Sequence, residues 1–407
     1  MDDTTVVDGR VIALRHAIIL TLAVTSILTI IGVVMVFSAT SVTSLTVAIA
    51  HDNPALRFSQ AQRQLMYAIV GFILLPIAVL VPARVYQRMS WPLFGLGLIL
   101  QALVVTPLGI EVGGNVNWIA IGPIQIQPGE FLKLAVALWL AIQLGRLNRH
   151  QLSDWKAVAI PSGLGALVAL GAVMLGKDMG TGIIYVIIYV TAFWLAGLPL
   201  TWFAYGGILV AVAAVVLVAI APSRLARVGA FITNLASNPD LDKPTQSDYA
   251  MWAFGTGGIG GVGLGASREK WNYLPEAHND FIFAVVGEEL GLGGALAIVI
   301  LYVMLGWGLV RIIIAHPQMW VKLFVAMVAM WLVGQAVLNM MVVTGALPVF
   351  GVPLPFISQG GSALIAGMLA IGVSVSLALS APGVRETFRM PPALSFRSTA
   401  SIKRSSA

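Results

Sequence analysis

The sequence predicts an all-α polytopic membrane protein with about ten transmembrane helices and both termini in the cytoplasm. Three observations predict it. Of 407 residues, 58% are hydrophobic and only 10% charged, whereas a soluble domain carries roughly 25% charged residues. Apolar runs of about 20 residues recur along the chain, the length a helix needs to cross a bilayer with its backbone satisfied internally. Lys and Arg also fall mainly on one side of the runs, as the positive-inside rule requires. The chain has no cysteine, which excludes disulfides and thiolate metal sites. Its net charge of +6 faces lipid headgroups rather than nucleic acid.

Taken in order, the runs lie near 16–37, 65–82, 91–108, 129–145, 157–175, 179–197, 201–221, 282–305, 322–343 and 360–380. Residues 1–15 form a cytoplasmic segment. Asp2, Asp3 and Asp8 there lack the basic character of a signal peptide, so the first run is kept as a span. Very short turns at 176–178 and 197–200 separate the fifth, sixth and seventh runs. With the amino terminus inside, cytoplasmic connections hold Arg10, Arg15, Arg84, Arg88, Arg146, Arg149, Lys156, Arg311 and Lys322. The short outer connections hold Arg57, Arg63 and Lys177. The outer connections are then 38–64, 109–128, 176–178, 222–281 and 344–359. The membrane domain spans 16–381, and 382–407 reads as a disordered basic cytoplasmic tail lying along anionic lipid.

The 222–281 connection is too long for a simple turn. It carries Gly255, Gly257, Gly258, Gly260, Gly261, Gly263 and Gly265, which fit tight backbone packing, mobility over a ligand or a flexible linker. It leads into 271–294, WNYLPEAHNDFIFAVVGEELGLGG, where Glu276, His278, Asp280, Glu288 and Glu289 crowd together at the edge of a span. Ionisable groups at membrane depth are costly and mark functional sites by default. Glu130, Lys133 and Asp178 fall on the same outer side.

Glu130 and Lys133 are spaced to share a helix face, either as an internal ion pair or with Lys133 as a ligand for phosphate or a catalytic carboxylate. Glu288 and Glu289 stand roughly 12 Å along a helix from Asp280; one of them is expected to pair with Lys133. Asp178 can cap the sixth span or take part in chemistry. Asp280, at a helix start near the surface, can accept a proton from a nucleophile, cap its helix or hold a divalent cation. His278 could assist it. Pro348, Pro353 and Pro355 exclude regular helix through 345–361, making that segment a wall of the site or a rigid turn between the last two spans.

The segments WNYLPEAHNDFIFAVVGEELGLGGAL, QPGEFLKLA, KDMGTG and GVPLPFISQGGSAL resemble the SEDS family (shape, elongation, division and sporulation). The likeness runs in the same order from about residue 20 to 381. The form of the HND and PLPFIS segments is most similar to the division-type members, with elongation-type proteins the close relatives. The resemblance implies a ten-span peptidoglycan glycosyltransferase. Such an enzyme polymerises lipid II, an undecaprenyl-diphosphate-linked precursor, on the outer face of the plasma membrane, for septal synthesis in the division type.

It further implies a class B penicillin-binding protein as transpeptidase partner, together with other divisome membrane proteins. The family's outer-loop aspartate falls on Asp280, its intramembrane Glu and Lys on Glu130 and Lys133, and its PDxGT aspartate on Asp178. Its RWI tryptophan falls on Trp118, and its Arg-Gln pair on Arg63 and Gln64. Gly129, Asn117, Lys177 and Gln359 depart from the usual Ser, Arg, Pro and Tyr. The Asn117 departure shifts the expected phosphate contact towards Arg63 or Lys177.

The chemistry expected of such a site is general-base help from Asp280, with a cation or a divalent metal, Mg2+ or Mn2+, stabilising the diphosphate. A lipid II flippase is the competing class and predicts polar groups towards both leaflets. A non-catalytic scaffold that recruits the synthase is a third reading, in which Asp280 is dispensable.

Overall fold

The computed structural model describes residues 9–112, 115–122, 124–219, 222–236, 244–271 and 274–388. Helix α1, Gly9–Ala50, contains the first predicted span and continues well beyond it. Several of its Ser and Thr hydroxyls bond back to helix carbonyls. Thr29 donates to Thr25 O and Thr40 to Val36 O. A short 3-10 turn, Pro54–Phe58, then leads into α2, Ser59–Leu80, and α3, Ala83–Ala102. The 38–64 connection is therefore largely helical rather than a loop.

The 109–128 connection holds a small antiparallel sheet of three strands, β1 Gly109–Val112, β2 Asn115–Ile121 and β3 Ile124–Ile126, in the order β1-β2-β3. Helix α4, Pro128–Gly145, follows, with Pro at its first position, where no backbone donor is lost. Two short helices, α5 Arg149–Ser153 and α6 Trp155–Val158, precede α7, Leu164–Leu175. Next come α8 Met179–Ala196, closed by Gly197 at φ 91°, and α9 Leu200–Ala219. The 222–281 connection contains two helices, α10 Pro222–Ala236 and α11 Gln246–Gly257.

Helix α12, Ile282–Ala315, breaks at Gly291, where φ is 67° and ψ −166°. Helix α13, Met319–Ala329, passes through a π turn at Met330–Gly334 into α14, Gln335–Val343. After the proline segment come α15, Gly361–Ala378, and α16, Val384–Thr387, a turn that packs on α1. Residues 389–407, most of the predicted tail, lie outside the described residues.

Among the described residues nine helices are long and apolar enough to cross a membrane, and α9 adds a shorter apolar stretch, Leu200–Val216. Helices α4 and α15 are the most enclosed, with 78% and 83% of their residues buried. They lie against each other, flanked by α2, α3, α8 and α13. The N-terminal ends of these enclosed helices carry Glu130, Lys133 and Ser362.

The break in α12 shows what the glycine run does. At Gly291 the helix frees the carbonyls of Glu288 and Glu289, which accept from Val262 N and Gly263 N at 3.0 Å each. In return Leu292 N donates to Gly258 O at 2.9 Å. The loop thus replaces the lost helical bonds, as irregular backbone at membrane depth requires. A side chain at Gly261, itself at φ 75°, would meet Glu289 O. Tight packing, rather than a flexible linker, describes 257–265.

Candidate active site

Asp280 ends a turn whose backbone is pinned from outside. His278 O accepts from Gln359 N at 3.0 Å, Asn279 O from Ser358 Oγ at 2.6 Å, and Asp280 O from Asn339 Nδ2 at 2.7 Å. The side chain of Asp280 is left unengaged: its carboxylate accepts no hydrogen bond from the described residues. Helix α12 instead has Phe281 as its N-cap, without a side-chain cap, so Asp280 does not cap it. The carboxylate lies against Gly351, where an added Cβ would sit 3.3 Å from Oδ2 at a φ of 70°. Burial pushes this carboxyl up to about 7, Glu276 and Asp178 push it the same way, and Arg227 opposes them. His278 is held below its ordinary value by burial, with Glu276 pulling the other way.

Asp178 is fully occupied. Its Oδ1 caps α8 by accepting Thr181 N at 2.9 Å, and its Oδ2 accepts Asn117 Nδ2 at 2.7 Å, Thr181 Oγ1 at 2.8 Å and Gln127 Nε2 at 3.1 Å. It therefore ties α8 to β2 and to the start of α4. The next turn of α8 presses Gly180 against the carbonyls of Phe350 and Gly351. Asp178 and Asp280 thus flank one short stretch of backbone. Asn117, at the position where an Arg is common, serves here as a donor to Asp178.

The deep pair is internal. Lys133 Nζ meets Glu130 Oε1 at 2.7 Å, lies 3.5 Å from Gln335 Oε1 and stands 4.9 Å from the centre of the Trp331 ring. Lys133 is 1% exposed, so its charge is answered entirely by protein. The expected pairing of Lys133 with Glu288 or Glu289 does not occur. Lys270, in the glycine-rich connection, takes that place: its Nζ meets Glu289 Oε1 at 3.1 Å and Gly265 O at 2.6 Å. Ser38 of α1 donates to Glu289, while Ser267 Oγ and Arg268 N donate to Glu288. Both glutamates therefore anchor the loop. Lys270 escaped sequence reasoning because 19 residues separate it from Glu289; the signal was a loop lysine beside two buried acids that needed a counter-charge.

The proline segment organises the site more than its sequence suggested. Gln64 donates to Ser358 O and accepts from Gly360 N, both at 3.3 Å, while Gln127 N donates to Ser362 Oγ at 3.0 Å. Gln64, rather than its exposed neighbour Arg63, makes this contact. Trp118 is half-buried on β2, opposite Ile110, and strand alternation points it away from the face Asn117 uses. No hydrogen bond, ion pair or ring contact among the described residues joins Arg63 or Trp118 to Asp280. Arg227, not foreseen from the sequence, lines a cavity of about 510 Å3 with Phe231, Thr245, Asp248, Pro348 and Val349, beside the segment that carries Gly351. Among the described residues no three His, Asp or Glu side chains converge as metal ligands. A divalent cation at Asp280 would need substrate oxygens for most of its shell.

The architecture is a helical membrane bundle with an unengaged carboxylate among polar groups held by protein partners. Residues 18–381 match the FtsW/RodA/SpoVE model, described as cell cycle protein. The chain belongs to this family. It is 34% identical over 377 residues to the probable peptidoglycan glycosyltransferase FtsW of Mycobacterium tuberculosis, covering 92% of this chain and 69% of that one. Its fold resembles a chain in a structure described as the coordination of polymerization and crosslinking by a peptidoglycan synthase complex. That match has a TM-score of 0.69 and 26% identity, covering 89% of this chain and 98% of that one. The Thermus thermophilus rod shape determining protein RodA matches with a TM-score of 0.61 and 26% identity, over 88% and 95% of the two chains.

Proposed function

We propose that this protein is a peptidoglycan glycosyltransferase that polymerises lipid II at the outer face of the plasma membrane, with Asp280 as general base. The observation that carries the reading is the state of Asp280: its backbone is pinned, its carboxylate is unengaged, and its proton affinity is raised to about 7. A base is most effective when its pKa lies near the working pH. The acceptor sugar's 4-hydroxyl gives its proton to the Asp280 carboxylate as its oxygen attacks the donor's anomeric carbon. The bond from that carbon to the diphosphate breaks, and the lipid diphosphate leaves.

Negative charge grows on the diphosphate as it departs, and a cation must meet it. Arg227, whose charge acts on Asp280, is one candidate; Arg63 and Lys177 are the others. A divalent cation, Mg2+ or Mn2+, would supply the same stabilisation with Asp280 as its protein ligand. Glu130, Lys133 and Asp178 act by building the site, since their polar atoms are committed to protein partners. Glu288 serves likewise, by holding the loop before His278.

The similarity to division-type relatives supports a role in septal wall synthesis, with an elongation role as the alternative. The likeness to a chain of a polymerising and crosslinking complex supports a class B penicillin-binding protein as partner. A flippase would need polar groups towards both leaflets, whereas the buried carboxylates and lysines gather at one end of the bundle. The test is polymerisation of labelled lipid II by the purified protein with its transpeptidase partner. Glycan strands from wild type and none from Asp280→Ala support the reading. Equal strands from both overturn the assignment of Asp280, and headgroup translocation in liposomes without strands overturns the enzyme.

A further inference from the structure

Asn339 sits where the Asp280 turn, the proline segment and α14 meet. The π turn at Met330–Gly334 resets the helix phase just before α14, a feature frequent at functional sites. Gln335 and Asn339, four residues apart on one face, then both turn towards the proline segment. Gln335 Nε2 donates to Pro353 O at 2.8 Å, and Asn339 Nδ2 donates to Val352 O and to Asp280 O at 2.7 Å each. A carbonyl can only accept, so the amide nitrogen must face this pair and the side-chain orientation is set by chemistry. That choice leaves Asn339 Oδ1 buried with no donor among the described residues. A half-satisfied buried amide is a poorer packing residue than leucine of similar size, so packing does not account for it.

We infer that Asn339 is a positioning residue for glycosyl transfer. By donating to Asp280 O and Val352 O together, it locks the backbone of the base to the segment carrying Gly351 and so holds the carboxylate where the acceptor hydroxyl arrives. This rests on the assignment of Asp280 as the base. Asn339 touches neither substrate nor the carboxylate itself. Glu276, Asp178 and Arg227 tune the charge around Asp280, but the hydrogen bond that fixes its carbonyl comes from Asn339. Through Gln335 the same helix face also meets Lys133, which gives the buried Glu130–Lys133 pair a physical connection to the site.

The test is Asn339→Leu in the full-length protein, reconstituted with its transpeptidase partner and assayed for steady-state lipid II polymerisation on both sides of neutral pH. Misplacement of a catalytic group by about 1 Å costs on the order of 100-fold in rate, so kcat falls by that order at unchanged KM. The acid limb of the rate profile also moves to lower pH, because a carboxylate released from Gly351 reaches water. Asn339→Asp, which sets oxygen against the two carbonyls at the same size, shows the same loss.

Wild-type kcat and pH profile in the leucine variant overturn the inference. So does a loss confined to the yield of folded protein, or a kcat loss with the acid limb unmoved. Asp280→Ala assayed in parallel separates the two claims. If it polymerises normally, the base assignment fails and this inference with it. If it is inactive while Asn339→Leu is fully active, only the positioning role fails.

Discussion

Asp280 suits a base working near neutral pH because burial, with Glu276 and Asp178 beside it, holds its carboxyl at about 7. The sign of the pH dependence follows. The base must be ionised, so kcat/KM rises with pH through about 7 and, below that, falls about tenfold per pH unit. A rate profile of the reconstituted enzyme checks this; a rate independent of pH around neutrality would contradict it. The same shift has a stability consequence of opposite sense. Folding raises this carboxyl above its ordinary value, so the native state binds an extra proton between the two. The Asp280 contribution to stability is present at low pH and is lost as pH rises towards 7. Asp280→Asn removes that loss, and its melting temperature falls less than wild type's as pH rises to neutrality.

At the scale of elements, the broken α12 and the glycine-rich connection form one unit. Lys270→Met leaves Glu289 buried without its cation, and removing one partner of a buried pair costs about 3–5 kcal/mol. Thermal unfolding in detergent should show that loss for Lys270→Met and much less for Lys270→Met combined with Glu289→Gln. Gly291→Ala forces a side chain into a backbone conformation at φ 67° and against Gly261 N, costing at least about 1–3 kcal/mol. Limited proteolysis of that variant should open the 257–265 loop, which stays closed in wild type.

The spans were legible because apolar length is a one-dimensional signal, and the prolines of 345–361 announced a segment without regular helix. The β2–β3 hairpin was also readable, since NVNWIAI alternates before a Gly-Pro turn, although long apolar runs draw attention away from short alternation. The Lys270–Glu289 pair and the Asn339 bridge were not readable. Both depend on contacts across 19 and 59 residues, which no local spacing encodes.

For the whole molecule, the enclosed helices α4 and α15 hold Glu130, Lys133 and Ser362 near their N-terminal ends, while the surrounding helices leave more of their apolar surface exposed. The Glu130–Lys133 pair is inside that enclosure, so its loss is a matter of the bundle rather than of one contact. Lys133→Met should destabilise the protein by about 3–5 kcal/mol and abolish polymerisation through misassembly, with Glu130→Gln on the same background recovering stability more than activity. Differential scanning of the single and double variants, set beside their activities, checks the distinction.

The proposed reaction turns on one carboxylate, carried on a pinned turn, that removes the acceptor proton. Its most direct test is glycan-strand formation from lipid II by Asp280→Asn, which keeps size and packing but cannot accept the proton, compared with wild type at equal amounts of folded protein and with the same transpeptidase partner. The account predicts normal folding and no strands from the variant. Strands of wild-type length formed at the wild-type rate would contradict it.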